Sequence, residues 1–102
     1  MAYHILVRPE VVDDLDEIES WYEKKQRGLG NQFHNEYETT LDRILIQPMN
    51  FVKVQKEIRR IEMKTYPYAV FYQVIGDSVV ILRVLHERRH PQHWPKDSNG
   101  TH

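Results

Sequence analysis

Two apolar runs near the C-terminal end constrain this chain more than anything else in it. Tyr66 to Ile75 is followed, across Gly76-Asp77, by Ser78 to Leu85, and neither run shows the polar alternation of a strand with one wet face. They predict a β-hairpin whose strands are covered on both sides or sit centrally in a sheet. The second strand then runs into His86-Glu87-Arg88-Arg89-His90-Pro91-Gln92-His93-Trp94, so a cluster of His, Arg and Trp is delivered to one end of the domain. Polar groups positioned by a rigid strand, yet free to meet a partner, are the first place to look for function.

The N-terminal half supplies helices. Tyr3 to Val7 reads as a short strand, and Pro9 pre-sets the first turn of a helix to about Lys25. Its apolar positions Val11, Val12, Leu15, Ile18, Trp21 and Tyr22 recur at three- and four-residue intervals. Acids fill the early turns and Lys24-Lys25 the last, as the helix dipole favours. Arg27 to Gly30 breaks the pattern, and a second helix from about Asn31 presents Phe33, Tyr37, Leu41, Ile44 and Leu45, stopping before Pro48. Asn50 to Gln55 is expected to be a loop. Ile58 to Lys64 alternates, with Ile61 and Met63 on one side and Arg60, Glu62 and Lys64 on the other, and is expected to be a half-exposed strand. Residues 96–102 read as a disordered tail behind a single domain at 1–95. The order β-α-α-β-β-β predicts an α+β fold, a helical hairpin packed on a small antiparallel-rich sheet.

A chain of 102 residues can close one core without staples. The absence of cysteine excludes disulfides and thiolate metal sites and fits a reducing compartment. No apolar run approaches the ~18 residues of a membrane span, and no signal-like segment opens the chain, so a cytoplasmic protein without membrane contact is expected. The net charge of -1 hides a polarity: residues 1–47 carry 5 Lys+Arg against 10 Asp+Glu, residues 48–102 carry 9 against 5. The basic half is suited to an anionic partner.

Several strings resemble the RelE/ParE superfamily of type II toxins. They are Val11, Asp14-Leu15, Ile18 and Trp21-Tyr22 at family spacing; Gly28-Leu29-Gly30 with Phe33; Pro48; Arg60 ahead of Tyr66-Pro67-Tyr68 and Val70-Phe71-Tyr72; and Val84-Leu85-His86 before Arg88-Arg89. The resemblance spans Tyr3 to Trp94 and stands closer to the ParE-like, plasmid-stabilisation branch. It implies a toxin that binds a protein target, DNA gyrase foremost, and is neutralised in a hetero-oligomer by a cognate antitoxin with an acidic or amphipathic C-terminal segment. Two alternatives follow from the same family: a RelE-like, ribosome-dependent mRNA endoribonuclease, and a non-toxic relative kept for antitoxin binding and autoregulation. No cofactor is implied.

A metal-free nuclease needs a base for the 2'-hydroxyl, cations for the crowded phosphate and an acid for the leaving oxygen. Under that reading His86 and Arg83 are the catalytic candidates, since imidazole titrates near neutrality and guanidinium forks onto phosphate. Arg60, Lys64, Arg88, Arg89, His90, His93 and Trp94 are the candidates for binding phosphate or a partner. Trp94 stands where the nuclease pattern more often has tyrosine, and indole transfers no proton at neutral pH. Arg83 is expected on the same face as Val79, Ile81 and Leu85, either as a paired structural residue or as the inner wall of a site. His86, His90 and His93 have a spacing that zinc can use, but no carboxylate or thiol supports it, and no metal is assigned.

Overall fold

The computed structural model describes residues 2–96; of the expected tail, all but Lys96 lies outside them. The chain forms β1 (His4–Val7), α1 (Pro9–Lys25), α2 (Leu29–Ile46), β2 (Lys53–Gln55), β3 (Ile58–Glu62), β4 (Tyr68–Ile75), β5 (Ser78–His86) and a 3-10 turn, Pro91–His93. One five-stranded sheet runs β1-β5-β4-β3-β2, parallel between β1 and β5 and antiparallel elsewhere. The two apolar runs thus take the interior of the sheet, as their composition requires, and the two helices pack on one face. No helix among the described residues is long and apolar enough to cross a membrane.

The helical hairpin is set by its turn. Gln26 donates its N–H to the Tyr22 carbonyl, and Gly28 adopts φ 92, where a side chain would be strained. The Glu23 carboxylate then accepts the N–H groups of Gly28 and Gly30, both at 3.0 Å, supplying the cap that α2 lacks in its own sequence. Gly30 answers a packing need: a Cβ there would lie 2.7 Å from the Glu19 carbonyl oxygen, so its absence lets the helices touch. Across the same contact His34 Nδ1 meets Glu19 Oε2 at 2.7 Å.

The helix-side core gathers Val11, Leu15, Ile18, Phe33, Tyr37, Leu41 and Ile44 against Ile61, Met63, Val70, Tyr72, Val79, Ile81 and Val84. Val12 and Trp21, spaced like the apolar stripe of α1, lie instead more than half exposed at its margin. A second cluster, on the sheet's other face, joins Ile58, Ala69, Phe71, Val80, Leu82 and Leu85, with Val54 and Trp94 packed on it.

Three expectations are corrected. The segment Asn50 to Gln55 is not wholly loop: Lys53–Gln55 pairs with β3 and becomes the sheet edge. Its tight connection places Lys56 at φ 50, in a Lys-Glu sequence that carries none of the Asn-Gly or Asp-Gly signature of such turns. In consequence β3 is paired on both sides, and Arg59 is buried at 9% exposure. The third correction concerns β5, where Phe71 faces Arg83 but Tyr72 faces Ile81. Leu82 is therefore an extra residue, a β-bulge that shifts the alternation by one. Val84 follows Ile81 into the helix-side core, whereas Leu85 turns to the opposite face.

Candidate functional site

The bulge lies where β5 loses its outer neighbour. β1 ends at Val7, opposite Ile81, and the Arg8 N–H takes the Ile81 carbonyl at 3.0 Å. Beyond that point an unpaired strand edge needs another partner. Asp14 of α1 supplies it: Oδ2 accepts the Val84 N–H at 3.0 Å, and the carboxylate takes the Arg83 guanidinium through Nε and Nη2, both at 2.8 Å. This bidentate pair holds Arg83 as a fixed cation, its pKa raised by the Asp14 hydrogen bonds. The Asp14 side chain is only 10% exposed and that of Arg83 31%.

The pair forms the floor of a cleft of about 320 Å³ between α1 and the end of β5. Asp14, Glu17 and Trp21, one face of α1, make one wall; Tyr68, His86 and Arg89 help make the other. Tyr68 and His86 meet edge to face at 5.2 Å. His86 Nδ1 accepts the Arg88 N–H at 3.1 Å, which assigns the proton of the neutral ring to Nε2. Burial, and then the Glu17 carboxylate, push the Tyr68 phenol above its ordinary pKa, so it is a hydrogen-bonding group and no base at neutral pH. The Trp21 ring is 54% exposed and carries the Lys25 ammonium 4.7 Å from its centroid.

The remaining residues singled out from sequence are placed elsewhere. Arg60 lies over the rings of Phe71 and Trp94, at 5.5 and 5.4 Å, and donates from Nη2 to the Glu87 carbonyl and the Glu62 carboxylate. Trp94 donates its indole N–H to the Arg89 carbonyl at 3.2 Å and packs on Phe71. Together they fasten the segment after β5 to the outer face of the sheet. His90 Nδ1 accepts the Gln92 N–H and caps the 3-10 turn, while His93 touches the Gln92 side chain. His93 and Trp94 line a second cleft, about 300 Å³, that Arg83 and Leu82 share from the other side. Lys64 borders a groove against α2 with Glu36, Thr40 and Arg43. Arg88 is exposed, with its backbone N–H on His86. Among the described residues no His and carboxylate side chains gather in a metal-binding group.

The cluster His86 to Trp94 expected at one end of the domain is divided: His86 and Arg89 line the first cleft with Arg83, whereas His93 and Trp94 line the second. Sequence reasoning missed the α1 wall, because Asp14, Glu17 and Trp21 read individually as parts of an ordinary acidic amphipathic helix. The resulting surface is of mixed charge, with the Asp14 and Glu17 carboxylates and the Arg83 and Arg89 guanidinium groups around one cleft.

The family model described as the ParE toxin of type II toxin-antitoxin system, parDE, matches residues 5–91. The fold is similar to a structure of the chromosomal ParDE system from P. aeruginosa (TM-score 0.75, 13% identity, covering 83% of this chain and 96% of that one). It is also similar to the isolated E. coli RelE toxin (0.62, 18%, 90% and 92%) and to a chain of the intact E. coli RelBE toxin-antitoxin complex (0.63, 19%, 86% and 100%). At these identities the likeness is one of fold. No curated protein sequence matches.

Proposed function

Because the chain belongs to the family of ParE toxins of type II toxin-antitoxin systems, we propose that it inhibits growth by binding a protein target, DNA gyrase, and that an antitoxin neutralises it. The observation that carries this reading over RNA cleavage is the state of the two arginines otherwise best suited to phosphate. Arg83 is taken bidentately by Asp14, and Arg60 lies over the adjoining rings of Phe71 and Trp94 with its Nη2 on the Glu87 carbonyl and the Glu62 carboxylate. A nuclease needs such cations turned outward to meet the developing phosphate charge. The acid/base set is thin as well: the Tyr68 phenol stays protonated and the Trp94 indole has only an N–H to give. His86 alone is left near the cleft as a proton carrier.

The same geometry suits protein recognition. The cleft offers the exposed Trp21 and Arg89, residue types enriched at binding hot spots, with the Glu17 carboxylate beside them. The test is expression without antitoxin, followed by gyrase supercoiling and in vitro translation assays on the purified protein. Growth arrest, loss of supercoiling and unimpaired translation are expected. Supercoiling that ignores the protein, with cleavage of translated mRNA, overturns the proposal. His86→Ala sharpens the comparison: under nuclease chemistry it abolishes mRNA cleavage, whereas under target binding it removes one wall residue of the cleft and its ring contact with Tyr68, weakening inhibition of supercoiling without any mRNA cleavage at stake.

A further inference from the structure

The most exposed large apolar residue among the described residues is not in either cleft. Ile46, at the end of α2, is 77% exposed, and Met49 and Val52 follow at 57% and 64%. Three such side chains exposed within seven residues are more apolar surface than scattered single residues account for, a feature that marks interaction sites. It is also held still. The buried Tyr72 hydroxyl donates to the Pro48 carbonyl at 2.6 Å, Arg59 Nη1 donates to the Met49 and Phe51 carbonyls at 2.9 and 2.7 Å, and the Arg60 N–H reaches the Val52 carbonyl at 3.0 Å. Apolar side chains fixed outward on an anchored backbone lose little entropy on binding.

Two further observations say what covers them. β2 follows at once and is one of the two outer strands of the sheet, so its outer edge can pair with an extended segment. The local charge is positive: residues 48–64 carry Lys53, Lys56, Arg59, Arg60 and Lys64 against Glu57 and Glu62, which pair with Lys53 and Arg60 and leave Lys56 and Lys64 as exposed cations outside any ion pair among the described residues. Arg59, although buried, is satisfied by carbonyls and the Met49 sulfur, and no carboxylate of the described residues forms an ion pair with it. α1, by contrast, carries seven acids over residues 9–25 against two lysines, and repels an acidic chain. We infer that Ile46, Met49, Val52 and the edge of β2 dock an extended segment of the neutralising antitoxin that carries apolar side chains interspersed with carboxylates. This rests on the toxin reading above.

The test measures the affinity of the purified chain for the product of the adjacent open reading frame. The double variant Met49→Asp/Val52→Asp places like charge against the carboxylates and is expected to raise Kd about 100-fold or more, as loss of an apolar hot spot does. Val12→Asp, an equally exposed substitution on α1, is expected to stay within about threefold. Both variants must keep the parent melting temperature, and amide exchange at Lys53–Gln55 should slow in the parent complex. A double variant that binds like the parent overturns the inference, as does a parent that does not bind the product. Unchanged antitoxin affinity with lost growth inhibition also overturns it, assigning the face to the target and leaving the toxin reading intact. A chain that binds its antitoxin through this face but never arrests growth would sink the toxin reading alone.

Discussion

Removing the Asp14 carboxylate tests the strut on which the cleft is built. Asp14→Ala abolishes three hydrogen bonds, two to Arg83 and one to the Val84 N–H. Breaking a fully buried ion pair from one side costs roughly 3–5 kcal/mol, because the other charge is stranded. Arg83 is 31% exposed and can turn partly to water, which reduces that part to about 2 kcal/mol. The orphaned Val84 N–H adds about 1 kcal/mol. The total, ~3 kcal/mol, is large against the usual 5–15 kcal/mol of a whole domain. With ~2.1 cal/mol/K of unfolding entropy per residue over a chain of this length, it lowers Tm by about 14 °C. Asp14→Asn keeps one oxygen for Val84 and is expected to lose only ~2 kcal/mol. A double-mutant cycle with Arg83→Ala, read by urea denaturation, should return a coupling of about 2 kcal/mol, with the double variant more stable than the two losses added. Near-additive losses, or Asn and Ala variants within 0.5 kcal/mol of the parent, roughly the scatter of ordinary surface changes, would refute the claim that the pair holds the cleft.

Gly30→Ala should lower stability by ~1–3 kcal/mol in thermal melts despite Ala's better helix propensity, since the added Cβ meets the Glu19 carbonyl oxygen; a stabilised variant would contradict the close helix contact. Burial raises the pKa of Glu36, but N–H groups of Thr65, Tyr66 and Lys64 outweigh it, leaving a net value below the ordinary 4.5. A depressed carboxylate pKa gives stability present above the unfolded pKa and lost as pH falls through the folded one, so Glu36→Gln should be less stable at neutral pH and flatten the acid limb below about pH 4.5. Tyr37 and Tyr72 are pushed by burial from 10.0 to about 12. Their raised pKa values favour the protonated native state, so stability is full below pH 10 and falls between about pH 10 and 12, with tyrosinate absorbance and unfolding rising together. Tyr72→Phe, which strands the Pro48 carbonyl, should cost ~1–2 kcal/mol in urea melts.

Much of this was legible in the residues. The hairpin of β4 and β5 is written in two runs without polar alternation, and the helices in their three- and four-residue spacing. Pairing of Arg83 was one of its two expected states; its partner was present in the sequence as a conflict. Asp14 lies three residues after Val11 and four before Ile18, squarely on the buried stripe of α1, while Arg83 interrupts an apolar strand. Each is a charge where none is tolerated alone, and their complementarity predicts the bridge that the fold makes. Arg59 shares the strand phase of Ile61 and was equally readable as buried. The bulge at Leu82 was not readable, since an extra residue leaves no mark in a run that is apolar on both faces. Nor was β2, whose three residues are too few for a period and whose turn lacks the usual glycine. The margin position of Trp21 depends on where the sheet ends, which the helix alone does not encode.

The span of the Asp14–Arg83 bridge, 69 residues, also bears on the order of events during synthesis. The helical hairpin is local and can assemble as soon as it leaves the ribosome, whereas β1 waits for β5 before it has a neighbour. Until then the apolar face of the hairpin has no sheet to cover, and a chaperone or protease meets it open. The cleft comes into being only once β5 has been made, so a product truncated or stalled before it contains the residues of α1 but none of the surface they create with β5. Under the function proposed above, an unfinished chain therefore lacks its recognition surface, through nothing more than the distance along the chain between one carboxylate and one guanidinium.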